Sequence, residues 1–116
     1  MKISDVKITM FNWRSEPWET GVGTSFGGTR ELGIVTVSTD EGLEGHAFLG
    51  SSQQGADHHI KGLIEYIKPV VMGRNPQDIG DIWWKMWKQN RSVSTNAIGA
   101  IDICLWDING KIAGQP

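Results

Sequence analysis

The spacing of apolar residues changes once along this chain, near Gly50, and that change limits the fold more than any other feature of the sequence. Before it the period is two. The stretch "ISDVKITMF" puts Val6, Ile8 and Met10 on one face with Lys7 and Thr9 on the other, as a half-buried strand requires. "RELGIVTVST" repeats the alternation through Val35 and Val37. Asp40, Glu41 and Gly42 then form a tight turn whose glycine can take a positive φ, and residues 43–49 return as a third strand. After Gly50 the period becomes helical: Ile60, Leu63, Ile64, Ile67, Val70 and Val71 fall on one stripe, with Asp57 expected as N-cap and Pro69 and Gly73 marking the end. Asn75-Pro76-Gln77-Asp78 predicts a second helix with Asn75 as N-cap and proline in first position, carrying Ile79, Ile82, Trp83, Met86 and Trp87 inward. A third starts near 94–96 and aligns Ile98, Ile101, Leu105, Ile108 and Ile112. The expected class is α+β: a three-stranded antiparallel sheet followed by a three-helix bundle, one domain over residues 1–116.

The third helix raises a problem of coverage. Ala97, Ala100, Ile103, Cys104 and Trp106 point away from its main stripe, so it is apolar nearly all round. Three strands and two short helices cannot surround it. Another domain or subunit is expected against it, because apolar patches of that size are rare on monomers. The sequence stops at Gln115-Pro116 directly after this helix, which suggests that more protein follows.

Between the first two strands, residues 12–29 read as a loop with Trp13, Trp18 and Phe26 among its glycines. Structureless connections longer than about a dozen residues in a compact domain are usually functional.

Other signals mainly exclude. Lys plus Arg is 11 against 13 for Asp plus Glu, a formal charge of -2, which gives no field for a nucleic-acid backbone. The single Cys104 cannot form an internal disulfide and reads as a buried thiol in a reducing compartment. Asp5 interrupts any signal-peptide run, and no segment is long enough to span a membrane, so a soluble cytoplasmic protein is expected. "GVGTSFGG" lacks the preceding strand and following helix of a phosphate-binding loop. His58 and His59 are adjacent and point apart on a helix, which does not suit chelation of one ion, and His46 reads as a hydrogen-bonded structural residue. Asp102 and Asp107, five apart, are not a catalytic pair. Asp102, among apolar residues, is expected to meet a cation or backbone amides. Trp83 and Trp87 fall on the core stripe, leaving only Trp84 outside it. Alone, the chain offers no active site.

Three segments then carry a resemblance: "VTVSTDEGLEGHAFLG", "VVMGRNPQDIGDIWWKMW" and "NAIGAIDICLWDINGKIAGQP". With the order of elements, they resemble the N-terminal capping domain of the enolase superfamily, in the mandelate racemase subgroup of the mandelate racemase/muconate lactonizing enzyme family. Phe48 departs from the glutamate of many relatives. The resemblance implies a (β/α)8 barrel absent from this segment, which would supply the catalytic bases and the carboxylates for Mg²⁺, so no catalytic or metal residue is assigned here. It implies abstraction of the proton α to a carboxylate, by an acid-sugar dehydratase or a mandelate racemase-like racemase, with a small carboxylic or sugar acid as substrate and a homo-oligomeric assembly. Two lid loops are implied, residues 12–29 and about 50–54, with Trp18, Thr24 and Phe26 from the first and Ser51 and Ser52 from the second facing substrate. The polar "SSQQ" favours sugar hydroxyls over a phenyl ring. The competing reading is a stand-alone ligand-binding or assembly module that uses the Trp-rich loop.

Overall fold

The computed structural model describes the backbone of residues 1–19, 25–50 and 56–116, and the side chains of 1–14, 30–50 and 56–116. Strands β1 (Ile3–Glu19), β2 (Ser25–Thr39) and β3 (Glu44–Leu49) form an antiparallel sheet in the order β1-β2-β3. Helices α1 (Asp57–Gly62) and α2 (Lys68–Val71) are joined by a π-helical stretch, Leu63–Ile67, and are followed by α3 (Ile79–Trp87) and α4 (Thr95–Ala113). This is the expected α+β order.

The expected turn is present, with Gly42 at φ 85°. The connection between β1 and β2 differs from expectation. Residues 12–19 and 25–29 are strand where a structureless loop was expected: the ladder continues through Trp13↔Arg30, Ser15↔Gly28 and Trp18↔Phe26 to Glu19↔Ser25. The two strands therefore project as a long hairpin arm beyond the sheet. Its register shifts between Ser15 and Trp18, the interval that contains Pro17. Proline has no amide proton for the ladder, so an irregularity there lets pairing resume beyond it.

The inner sheet face carries Val6, Val35, Val37, Ala47 and Leu49 into a core completed by Leu63, Ile67, Val71, Ile82, Met86, Ile98, Ile101, Leu105 and Ile108. Along residues 57–71 the buried side chains are His59, Leu63, Ile67 and Val71, while Ile64 is exposed, contrary to the expected stripe. The wider π turn accounts for this: the Lys68 amide bonds to the Leu63 carbonyl, five residues back. Burial then falls on every fourth residue. It also makes room for Pro69, whose ring would crowd the preceding turn of a regular helix. Gly73, at φ 76°, ends the segment, and its amide donates to the Ile3 carbonyl at 2.9 Å while the Ile3 amide donates to the Arg74 carbonyl at 2.8 Å.

Two caps also differ. Ala56, not Asp57, occupies the N-cap of α1, and Asp57 lies in the first turn. Asn75 Oδ1 accepts from the Gln77 amide at 3.0 Å and shapes a turn, while α3 begins later, at Ile79 after Asp78. At the start of α4, within the expected interval, Ser94 Oγ accepts from the Ala97 amide at 3.2 Å.

Candidate functional site

Three features stand out among the described residues: the hairpin arm, an apolar face on α4 and β3, and the junction that holds α4 to the edge of the sheet. The arm carries two of the five expected substrate-facing residues, Trp18 on β1 and Phe26 on β2, directly opposite in register. Thr24, Ser51 and Ser52 lie outside the described residues. At the base of the arm Phe11 and Trp13 are about half exposed, so the aromatic surface anticipated for this segment extends onto the sheet.

The all-round apolar character of α4 resolves into two sides. Ala97, Ala100 and Cys104 are buried with Ile98, Ile101, Leu105 and Ile108 of the main stripe, whereas Ile112 at its end is exposed, contrary to expectation, and Ile103 and Trp106 stay 57% and 62% exposed. Phe48, on β3, is 70% exposed beside them. A groove of about 410 Å³ runs between the end of β3 and the first half of α4, floored by Gly99 and Ala100 and flanked by Phe48 and Ile103. A second, of about 340 Å³, lies across Phe48 between Ile34, His46 and Ile103. Asp102 is half-buried on this helix, and desolvation raises its carboxyl pKa. The expected cation or amide partner is not found among the described residues.

The junction is tighter. A Cβ on Gly45 would lie 2.0 Å from the Cys104 carbonyl oxygen, so only glycine lets strand and helix approach this closely. Asp107 Oδ2 accepts from the His46 amide at 2.9 Å and from Lys111 Nζ at 2.9 Å, and Lys111 Nζ also donates to the Glu44 carbonyl at 2.6 Å. The Lys111 hydrogen bond, aided by the His46 amide, holds the Asp107 carboxyl below the usual carboxylate range against the opposing effect of burial. The reading of Asp107 beside Asp102 missed this pair. The Asp-x-x-x-Lys spacing was the available signal, since residues four apart share a helix face.

His46 is hydrogen-bonded, as expected. His46 Nδ1 lies 3.1 Å from Thr36 Oγ1 across the strand pair. His59 is 4% exposed, with Nδ1 at 2.7 Å from Ser94 Oγ. Among the described residues Nε2 has no partner. The Cys104 thiol is pushed up to about 12, chiefly by burial, and is unreactive at neutral pH. Among the described residues no group of three or more His, Cys, Asp or Glu could hold a metal ion. No helix among them is long and apolar enough to cross a membrane.

The sequence pattern of the mandelate racemase / muconate lactonizing enzyme N-terminal domain matches residues 3–116. The chain belongs to that family. A D-galactonate dehydratase family member from Salmonella enteritidis is 35% identical over 123 residues, covering 100% of this chain and 26% of the relative. The family fold also recurs in D-glucarate dehydratase from Agrobacterium tumefaciens, solved with magnesium, at TM-score 0.74 and 25% identity over 100% of this chain and 31% of that one. Dipeptide epimerase from Enterococcus faecalis, solved with Mg and L-Leu-L-Tyr, matches at TM-score 0.79 and 26% identity over 97% of this chain and 32% of that one. The chain thus spans about a quarter to a third of these family members.

Proposed function

We propose that this chain is the cap of a cytoplasmic, homo-oligomeric acid-sugar dehydratase whose catalytic bases and Mg²⁺ carboxylates lie on a (β/α)8 barrel beyond residue 116. The observation that carries this reading is the exposed face of Ile103, Trp106 and Phe48 on a domain that matches only part of each family member. A barrel places its active site among the loops at the C-terminal ends of its strands, and such a site needs a cover from outside. The hairpin arm is long enough to serve as one side of that cover.

In the proposed reaction a base removes the proton α to the carboxylate, giving an enediolate whose charge the cation would hold. The β-hydroxyl then leaves as water after protonation, and the resulting enol becomes a 2-keto-3-deoxy acid. The cap's part is binding and exclusion of bulk water, which strengthens the electrostatics within the site. Trp18 and Phe26 from the arm, with Thr24, Ser51 and Ser52, are the proposed substrate-facing residues.

Dehydration is favoured over racemisation by the name of the Salmonella relative and by the polar run at residues 51–54. The test is to supply the whole protein with Mg²⁺ and a panel of sugar acids that includes D-galactonate and D-glucarate, with mandelate and dipeptides alongside. Formation of 2-keto acid from a sugar acid supports the reading. Turnover of mandelate or a dipeptide alone overturns it in favour of racemisation or epimerisation, and a coding region that ends at Pro116 favours the stand-alone module.

A further inference from the structure

One charged side chain of α4 has no counterpart. Asp102 is half-buried, is flanked along the helix by Ile101 and Ile103, and has no hydrogen-bond or ion-pair partner among the described residues. Burial alone acts on its carboxyl, raising the pKa, with no cation to offset it. The one basic residue of α4, Lys111, is already bonded to Asp107 and to the Glu44 carbonyl. The place of Asp102 on the helix is informative. Residues three or four apart are neighbours on a helix surface: Asp102 has Ile98 and Leu105, both buried, on one side and Trp106, 62% exposed, on the other. Its carboxylate therefore stands where the packed stripe gives way to the uncovered face. A body that covers Trp106 takes the remaining water from Asp102 as well. An ionised carboxylate without water is costly unless it is paired, so the covering surface must bring a positive charge or leave the acid protonated. Trp106 favours the charge. An exposed indole one turn from a carboxylate offers a cation two attractions at once, one to the ring face and one to the acid. A planar guanidinium can stack on the ring while bonding both carboxylate oxygens, which an ammonium group cannot do.

We propose that Asp102 and Trp106 together receive an arginine from the barrel of the same protein, and that this ion pair fixes how the cap sits on it. The inference rests on the reading given above, that the rest of the protein covers α4. Apolar contact tolerates sliding, whereas a single charge within an apolar face is satisfied in one register only. The test is nuclear magnetic resonance of the whole protein, with aspartate labelled at Cγ and arginine at Nε. Asp102 is assigned by the signal that Asp102→Asn removes, or Asp102→Glu should the first variant not fold. In the unmodified protein its carboxyl should titrate below the ordinary 3.8. Titration at or above that value overturns the proposal, because the acid is then exposed or held protonated. One arginine Nε–H signal should shift in both Asp102→Asn and Trp106→Ala. A low titration with every arginine signal unmoved also overturns it, since backbone amides then hold the carboxylate, and a shift in Asp102→Asn alone removes Trp106 from the receptor. If the arginine belongs to a second copy, the low titration is lost on dilution to single protomers and the assignment to the same chain fails. Sugar-acid dehydration by the same preparation keeps the two readings apart. An active enzyme whose Asp102 titrates at or above 3.8 sinks this inference alone, while a low titration in a protein inactive on sugar acids supports the ion pair and counts against the proposed activity.

Discussion

Gly45→Ala tests the closest contact in the fold. The added Cβ would lie 2.0 Å from the Cys104 carbonyl oxygen, 2.8 Å from its carbon and 3.0 Å from Ile108 Cγ1. Ordinary contact begins near 3.4 Å, so strand and helix would have to part by about 1.4 Å. The first two atoms are backbone of a long helix and cannot rotate aside. Overpacking of a well-packed core costs about 1–3 kcal/mol, and a clash with main chain belongs at the upper end. Separation also stretches the Asp107 and Lys111 bonds to β3, so about 3 kcal/mol is expected. A domain of this length has roughly 6–17 kcal/mol in all, and the loss should lower Tm by about 10–15 °C. Gly80→Ala is the matched control. Nothing lies within 4 Å of its added Cβ, and Gly80 is exposed on α3, so helix propensity should make that variant more stable by about 0.5–1 kcal/mol. Thermal and urea unfolding followed by circular dichroism compare the two. A Gly45→Ala protein within about 1 kcal/mol of the parent would refute the reasoning, because the junction would then have slack.

Three further outcomes follow from individual side chains. Burial, with His58 adding to it and Asp57 opposing, holds the His59 imidazole below its ordinary 6.5, so the unfolded chain binds the proton more readily. Its stabilising effect is complete above that value and is lost as pH falls through 6.5 towards the lower folded value; Tm should drop across that window, and His59→Gln should flatten the drop. Ser94→Ala removes the cap of α4 and the hydroxyl facing His59, and should cost about 1 kcal/mol in urea unfolding, whereas no change would mean that the cap is dispensable. Trp18→Ala in the whole protein should lower kcat/KM for the cognate acid with Tm nearly unchanged; intact kinetics would remove Trp18 from the proposed cover.

Much of this fold was legible because each local signal agreed with its neighbours. Alternation and the Gly42 turn each depend on a few adjacent residues, and both are present. The hairpin arm was hidden because Pro17 and the glycines suppress the alternation by which strands are recognised, while cross-strand pairing restores the ladder on either side. The π stretch was hidden for a related reason: Ile60, Leu63, Ile64 and Ile67 fit a regular helix well, and only the demand of Pro69 on the preceding turn argues otherwise. The apolar excess of α4 was readable as a need for a partner. Which of its residues the sheet would cover was not, since that depends on how closely Gly45 lets β3 approach.

The π turn at Leu63–Ile67 also sets a rule of length. Removing one residue there would give a regular helix and swing everything on one side of the cut by about 100°. Either His59 would rotate away from Ser94 or Val71 would leave the core, together with the Gly73 link to the first strand. Single-residue gaps in this segment should therefore be rare among chains that keep both contacts, and where one occurs a compensating insertion is to be sought within the next turn.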